Sequence, residues 1–327
     1  MNKRNSLIIV IITLVGGVFF GFLIGINKIA TQDNNSKSVR QGGYMYINPL
    51  LECEVDGGWG NKSLKDYKQD INKIINQKIK QDPINHISVY FRDLNNGPWF
   101  GINEKENFAP ASLLKTPLMI TYYKKEEANP GYLNNKLEFT PEIASIYGSN
   151  PETALLTIGQ SYTIDELINN MIIESDNNSF DTLIQNIDFN EIKQVHIDLG
   201  LTVPDQQTPD DFITVKEYAS LFRVLFNASY LNRAMSEKAL SLLSQATFDQ
   251  GIAAGLPQGT TIANKFGIKT IAENQEKQLH DCGIIYYPNH PYLLCIMTRG
   301  NDLNELTRTI REISSAVYQQ IDSQYNN

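Results

Sequence analysis

Residues 108–115 read Phe-Ala-Pro-Ala-Ser-Leu-Leu-Lys, and they place Ser112 where an apolar helix is predicted to begin, with Lys115 three residues on. A helix start offers unpaired backbone N–H groups and a dipole that favours developing negative charge, and a spacing of three puts both side chains on one face. A lysine desolvated by neighbouring helices loses basicity and can then deprotonate a serine. The pattern predicts a nucleophilic serine beside an amine base, and it also fits a simple N-cap role for Ser112.

Two further motifs follow along the chain. Ser175-Asp176-Asn177 lies between two predicted helices, where a loop can present a hydroxyl and a carboxamide to a cleft, although the same triplet is common in ordinary turns. Lys265-Phe266-Gly267 lies in the segment 262–268, which is predicted to be an inner strand. A lysine in an apolar strand is costly unless it faces a cleft, and Gly267 permits a ligand to approach the backbone closely.

Apolar periodicity predicts strands at both ends of the chain and helices in the middle. Strands that surround a helical middle favour one sheet built from the terminal segments, with a helical subdomain inserted between them. The predicted fold class is therefore α/β, as an α+β sandwich. Helices are predicted over 64–79, 163–173, 214–226, 236–244 and 302–321, and strands over 87–91, 99–102, 262–268, 283–287 and 292–298.

In this chain order the three motifs resemble the S-x-x-K, S-D-N and K-T-G motifs of the class A β-lactamase-like serine hydrolases, which belong to the penicillin-recognising serine acyltransferases. The residues around Ser112 and the strand at 280–285 before a closing helix are also similar to that family. The resemblance covers about residues 63–325. It implies a class A β-lactamase-like fold with an antiparallel sheet from the terminal segments and a helical subdomain.

The resemblance also implies an acyl-enzyme mechanism. Ser112 would be the nucleophile and Lys115 its general base. Ser175 would carry a proton to the leaving nitrogen of the substrate. No metal or other cofactor is expected.

For substrate binding, the resemblance implies that Asn177 binds the amide side chain of the substrate. Lys265 would hold the proton network and the substrate carboxylate. The backbone N–H groups of Ser112 and Ile268 would form the oxyanion hole, which lowers the barrier by several kcal/mol in such enzymes. Gly267 would lie against the bound substrate.

The chain departs from the family pattern at two places. Phe266 stands where the family has a hydroxyl residue that helps to bind the substrate carboxylate. The loop over 201–214 is short and contains no glutamate that could activate the water for deacylation. Asp210 or Asp211 could take that role, but an aspartate just before a helix is more simply a first-turn charge.

The expected activity is acyl transfer through Ser112 on a β-lactam ring, leading to β-lactam hydrolysis. Two alternatives remain open. One is a penicillin-binding D,D-peptidase acting on peptidoglycan D-Ala-D-Ala peptides. The other is a non-turnover module that senses β-lactams or peptidoglycan. The expected small-molecule partner is thus a β-lactam or a peptidoglycan peptide.

The segment 7–26 is uncharged and long enough for one membrane crossing, since a helix of 20 residues spans about 30 Å. It predicts an uncleaved transmembrane anchor, and a cleaved signal peptide would have a shorter apolar run. The predicted organisation is a short cytoplasmic tail over 1–6, the anchor over 7–26, a tether over 27–62 that ends by docking on the domain, and the hydrolase domain over 63–327.

Nearly all of the folded mass follows the predicted anchor, so we expect a single-pass protein of the cell membrane with an extracytoplasmic catalytic domain. The flanking lysines and arginines do not decide the orientation. Gly17, Gly21 and Gly25 form a small-residue stripe that could pair two anchors in a homodimer, although glycine is common in transmembrane helices.

Composition excludes other classes of protein. Lys and Arg total 28 against 36 Asp and Glu, a net charge of -8, so a nucleic-acid partner is not expected. Three cysteines are too few for a disulfide framework. Cys282 and Cys295 lie on two strands of a predicted hairpin, and their predicted diagonal placement favours free thiols over a disulfide.

Overall fold

The computed structural model describes residues 38–40, 42–53, 62–81, 83–95, 97–144, 155–272 and 274–325. Within these ranges, no helix combines the length and apolar character that a membrane crossing requires. The predicted anchor over 7–26 lies outside the described residues, and it stays a prediction.

The described chain contains nine α-helices and eleven strands. The helices are α1 (Lys62–Gln81), α2 (Lys115–Ala128), α3 (Pro141–Ala144), α4 (Ile164–Ile173), α5 (Asn177–Gln185), α6 (Phe189–Leu199), α7 (Val215–Phe226), α8 (Arg233–Leu243) and α9 (Leu303–Tyr325). The strands are β1 (Ser38–Arg40), β2 (Leu50–Cys53), β3 (Ile84–Asp93), β4 (Trp99–Ile102), β5 (Asn107–Phe108), β6 (Lys136–Glu138), β7 (Ser161–Thr163), β8 (Ile213–Thr214), β9 (Ile262–Thr270), β10 (Lys277–Ile285) and β11 (Tyr292–Gly300).

The main sheet contains five strands in the order β4-β3-β11-β10-β9, and every neighbouring pair is antiparallel. Strands from both ends of the chain therefore meet in one sheet, as the sequence predicts. The helical middle of the chain, α2 to α8, is inserted between β4 and β9. The α+β sandwich with an inserted helical subdomain is confirmed.

The two faces of the sheet bury two separate hydrophobic cores. Successive side chains of β11 alternate between them, because side chains of a strand point to opposite faces. Leu293 and Cys295 join the core on the side of the helical middle. Leu294 and Ile296 join the core that contains the apolar faces of α1 and α9. The sheet is consequently covered by helices on both sides.

The prediction of an inner strand over 262–268 is wrong, because β9 is the last strand of the sheet. Its apolar character has another cause. Helix α8 and the short turn that carries Ser112 both pack against β9. The middle of this edge strand, 263–265 and 267, is thus buried, and none of the surface of Lys265 is exposed.

The prediction of free thiols is also wrong, because Cys282 and Cys295 form a disulfide. The register of β10 and β11 places the two residues directly opposite each other and not diagonally. Lys265 on β9 lies opposite Cys282 on its other side. The disulfide therefore ties β10, the neighbour of the strand that carries Lys265, to β11.

The segment 42–49 docks on the domain, as expected for the end of the tether. The backbone N–H groups of Met45, Tyr46 and Ile47 donate to the carboxylate of Glu237 on α8, at 2.9 to 3.1 Å. Ile47 is buried in the core beside the helical middle. This docking joins the chain before α1 to the helical subdomain.

Candidate active site

Ser112 lies in a 3-10 turn, Ala111–Leu114, which leads directly into α2. The helix has Leu114 at its N-cap position, without a side-chain cap, so a capping role for Ser112 is excluded. Side chains three residues apart eclipse each other in 3-10 geometry, which places Ser112 and Lys115 on one face. Ala111 has a φ of 48°, a left-handed conformation that costs on the order of 1 kcal/mol outside glycine. The turn is therefore held by its surroundings.

Strands β9 and β10 supply that support. The side chain of Gln278 accepts from the Ala109 N–H at 2.9 Å, and the His280 Nε2 lies 3.0 Å from the Ala109 carbonyl oxygen. A Cβ added to Gly267 would lie 2.9 Å from the Pro110 carbonyl oxygen. The glycine thus serves the close approach of β9 to the turn, whereas the sequence suggested close approach of a ligand.

Lys115 is buried, with 2% of its surface exposed, and its ammonium group faces three acceptors. Its Nζ donates to the Ser175 carbonyl oxygen at 2.5 Å, to Asn177 Oδ1 at 2.7 Å and to Ser175 Oγ at 3.3 Å. Burial lowers the pKa of Lys115 to about 8, although Asp176 and Asp181 oppose the shift. A lysine in this environment can give up its proton near neutral pH and act as a base.

Ser175 occupies the tight connection between α4 and α5. Its φ is 55°, again left-handed, and Asp176 caps α5 by accepting from the Ser179 N–H at 2.6 Å. Asn177 is the first residue of α5 and is exposed. The connection therefore presents the Ser175 hydroxyl and the Asn177 carboxamide beside Lys115.

Lys265 reaches the same hydroxyl from the opposite side. Its Nζ donates to Ser175 Oγ at 2.9 Å, and none of its surface is exposed. Burial and, to a smaller extent, the charge of Lys115 lower the pKa of Lys265 to about 7, while Asp281 opposes the shift. Two lysines of reduced basicity thus converge on the oxygen of Ser175.

Hydrogen bonds connect four of the predicted site residues, Lys115, Ser175, Asn177 and Lys265. The Ser112 hydroxyl, which is half-buried, has no hydrogen-bond partner among the residues that the structure describes. Hydrogen bonds of catalytic groups are often long without substrate and tighten in the complex. Ile268 follows Gly267 on β9 and is 39% exposed, and Gly267 is the residue that approaches the turn of Ser112.

The aspartates of the short loop over 201–214 are engaged in ion pairs. Asp210 binds Lys269 at 2.5 Å, and Asp211 binds Arg299 at 2.6 Å. Neither acts as the first-turn charge of α7, because Thr214 and Glu217 form the capping box there. Both carboxylates therefore have structural partners.

Asp181 is a residue near the site that our sequence analysis missed. It lies on α5, four residues after Asn177 and so on the same helix face, and only 6% of its surface is exposed. Its Oδ2 has no hydrogen-bond partner among the described residues. Burial raises the pKa of Asp181 to about 6; Lys115 opposes the shift and Asp176 adds to it. Helical spacing from Asn177 could have indicated this position.

Replacing Asp181 by asparagine is expected to stabilise the protein at pH 8 by about 3 kcal/mol. A carboxyl whose pKa is raised on folding stabilises the fold when protonated, and this contribution is lost as the pH rises through about 6. The gain in the variant should therefore shrink towards zero near pH 4. Urea unfolding at both pH values measures the difference in the free energy of unfolding between variant and wild type. Asp249→Asn, at an exposed position, is the control. An equal gain at both pH values contradicts the prediction.

Comparison of the chain with known proteins identifies its family. The model of the Beta-lactamase enzyme family matches residues 66–321. The β-lactamase VEB-1 of Pseudomonas aeruginosa is 22% identical over 219 residues, which are 62% of this chain and 73% of that enzyme.

Solved structures have the same fold at low sequence identity. PBP-A is 23% identical with a TM-score of 0.68, covering 80% of this chain and 97% of PBP-A. A PBP-A mutant solved as an acyl-enzyme complex with penicillin G is 22% identical, with the same TM-score and coverage. A β-lactamase from Chitinophaga pinensis is 17% identical with a TM-score of 0.69, covering 78% and 99% of the two chains. Because the family match runs through the sheet and all three motifs, the chain belongs to the β-lactamase enzyme family of serine hydrolases, as the sequence predicted.

Proposed function

We propose that β-lactams acylate this protein at Ser112. The convergence of Lys115 and Lys265 on the Ser175 hydroxyl carries the proposal. Ser112 Oγ would bond to the carbonyl carbon of the ring while Lys115 takes its proton. The carbon–nitrogen bond then breaks, and the ring nitrogen receives a proton from Ser175, whose hydroxyl regains one from Lys115 across a distance of 3.3 Å. Two relatives support this assignment: VEB-1 is a β-lactamase, and the PBP-A mutant forms an acyl-enzyme with penicillin G.

Release of the acyl group is expected to be slow. Hydrolysis of the ester needs a base that activates water. Asp210 and Asp211, the carboxylates of the loop over 201–214, are committed to Lys269 and Arg299. The same observation favours a second candidate function, a penicillin-binding D,D-peptidase or a sensor that keeps its acyl group.

The proposed location is the outer face of a cell membrane, with 7–26 as the anchor. The Cys282–Cys295 disulfide supports it, because disulfides persist outside the reducing cytosol. Extraction of membranes with alkaline carbonate releases peripheral proteins but not spanning ones. Recovery of this protein in the soluble fraction would overturn the anchor.

Intact-mass spectrometry of the full chain in detergent with benzylpenicillin tests the acylation. We expect a single adduct with the mass of the drug, retained for hours after the free drug is removed. Ser112→Ala should show none, because the attacking oxygen is gone.

Each other result has a definite meaning. An adduct that disappears as the drug is hydrolysed would establish an efficient β-lactamase and disprove slow release. An adduct that survives in Ser112→Ala would disprove the nucleophile. Cleavage of a D-Ala-D-Ala peptide by the wild-type protein alone would select the peptidase.

A further inference from the structure

The ring of Phe266 covers the ammonium group of Lys265. The Nζ lies 4.4 Å from the centroid of that ring, within the range of a cation–π contact. The same ammonium donates to Ser175 Oγ at 2.9 Å and lies 3.4 Å from the Phe266 carbonyl oxygen. An ammonium group has three N–H donors. The hydroxyl, the carbonyl oxygen and the ring therefore provide one partner for each donor of Lys265.

A second aromatic ring fixes Phe266 in this position. Phe248, in the loop after α8, stacks on Phe266 with ring centroids 4.1 Å apart and an angle of 17° between the planes. Phe248 also packs against the core under α1 and α9. Moving the Phe266 ring off Lys265 would break this stack, and such aromatic pairs contribute about 1 kcal/mol beyond their buried area.

The surroundings of the ring do not suit an anion. The face of an aromatic ring carries partial negative charge and repels a carboxylate. Asp281, which is buried, lies opposite Phe266 in the register of β9 and β10. Lys269, the next lysine along β9, is already bound to Asp210.

An apolar strip extends from the ring along the edge of the sheet. Ile268 is two residues after Phe266 on β9, and residues two apart share a face of a strand. Phe266 is half-buried, and Ile268 is 39% exposed. Both side chains lie on the face of β9 opposite to Gly267, which approaches the turn of Ser112, so the Phe266 ring borders the site only through its contact with Lys265.

We propose that the acyl donor presents a neutral, apolar group to Phe266, and that Phe266 selects against donors with a carboxylate at this position. The inference rests on acyl transfer at Ser112, the proposed function, and adds the class of donor. A carboxylate could reach Lys265 only by displacing the ring from its stack. A neutral donor needs no such displacement and can contact the ring of Phe266.

The acylation rates of two pairs of compounds test the proposal. The first pair is benzylpenicillin and its methyl ester, and the second is an N-acyl-D-alanyl thioglycolate and its methyl ester. In each pair the two compounds differ only in that the charged carboxylate becomes a neutral methyl ester. We expect the wild-type protein to react with the esters at least as fast as with the free acids, by intact mass at Ser112.

Two variants provide matched controls. Phe266→Thr removes the ring and supplies a hydroxyl, so the preference for the free acid should rise at least ~10-fold, as for a charge-assisted hydrogen bond. Phe266→Leu keeps an apolar side chain and should change the preference less. Thermal melts of both variants show whether they fold.

The outcomes separate the inference from the proposed function. If the wild-type protein prefers the free acids as strongly as Phe266→Thr does, the inference about Phe266 is overturned. Acylation at Ser112 is unaffected by that result. If only the thioglycolates react, the proposal of β-lactam acylation is disproved. The inference about Phe266 is then tested by comparing the thioglycolate acid with its methyl ester. If none of the four compounds modifies Ser112, both are overturned.

Discussion

Replacement of Lys115 by methionine should lower the rate of Ser112 acylation at least ~10³-fold, in line with the loss of a general base. Methionine has a similar length but no amine, so it cannot take the proton of Ser112. It also cannot donate to Ser175 or Asn177, which Lys115 holds at 2.5 to 3.3 Å. The fold should persist, because replacing a buried cation by an apolar side chain removes a desolvation cost. Thermal melts and intact-mass kinetics measure the two effects separately.

The pH dependence of wild-type acylation tests the same role. Burial lowers the pKa of Lys115 to about 8, and only the neutral amine is a base. The rate should therefore rise with pH and level off above about 8. Lys193→Met, on an exposed position of α6, should keep both the rate and the profile. A profile that is flat from pH 6 to 9 would show that Lys115 is not the base.

Much of the fold was predictable because its signals are local. The alternation of β3, the capping box of α4 and the apolar period of α9 each specify an element within one stretch of chain. Helix α6 was missed although Asp188 at its N-cap and Gly200 at its C-cap mark both ends. Both capping signals of this helix are local and present in the sequence.

The remaining features depend on contacts between distant segments. An edge strand that is covered by a turn and a helix has the same apolar sequence pattern as an inner strand. This is the case for β9. The disulfide depends on the register of β10 and β11, which one extra or missing residue would change.

The contact of Lys115 and Lys265 with Ser175 could be expected from the sequence, but not its individual bonds. The order of the motifs along the chain resembles that of a known family, and this resemblance predicted one cleft for Ser112, Lys115, Ser175 and Lys265. They could not indicate that Lys115 would bind Ser175 and Asn177, since its partners come from α5 and the connection before it. The stack of Phe248 on Phe266 joins residues 18 positions apart on a loop and a strand, and no spacing rule predicts it.

Ser175→Ala is expected to reduce acylation about 10²- to 10³-fold, because Ser175 directs the proton that reaches the leaving nitrogen. A serine hydroxyl has two acceptor positions and one donor. Lys115 and Lys265 occupy both acceptor positions, at 3.3 and 2.9 Å. The single proton of the hydroxyl is therefore left to donate towards the substrate. Ser161→Ala, at an exposed position of β7, is the matched control and should retain the wild-type rate.

A double-mutant cycle with Lys265→Met shows whether the two side chains act as one unit. Lys265→Met removes one of the two donors that orient the Ser175 hydroxyl, so it should lower the rate about 10²-fold. Once Ser175 is replaced by alanine, there is no hydroxyl left to orient. Lys265→Met should then lower the acylation rate only slightly further. The double variant should therefore react about as slowly as Ser175→Ala alone. If the two losses multiply instead, Lys265 acts on the substrate independently, and the proton path through Ser175 does not depend on it.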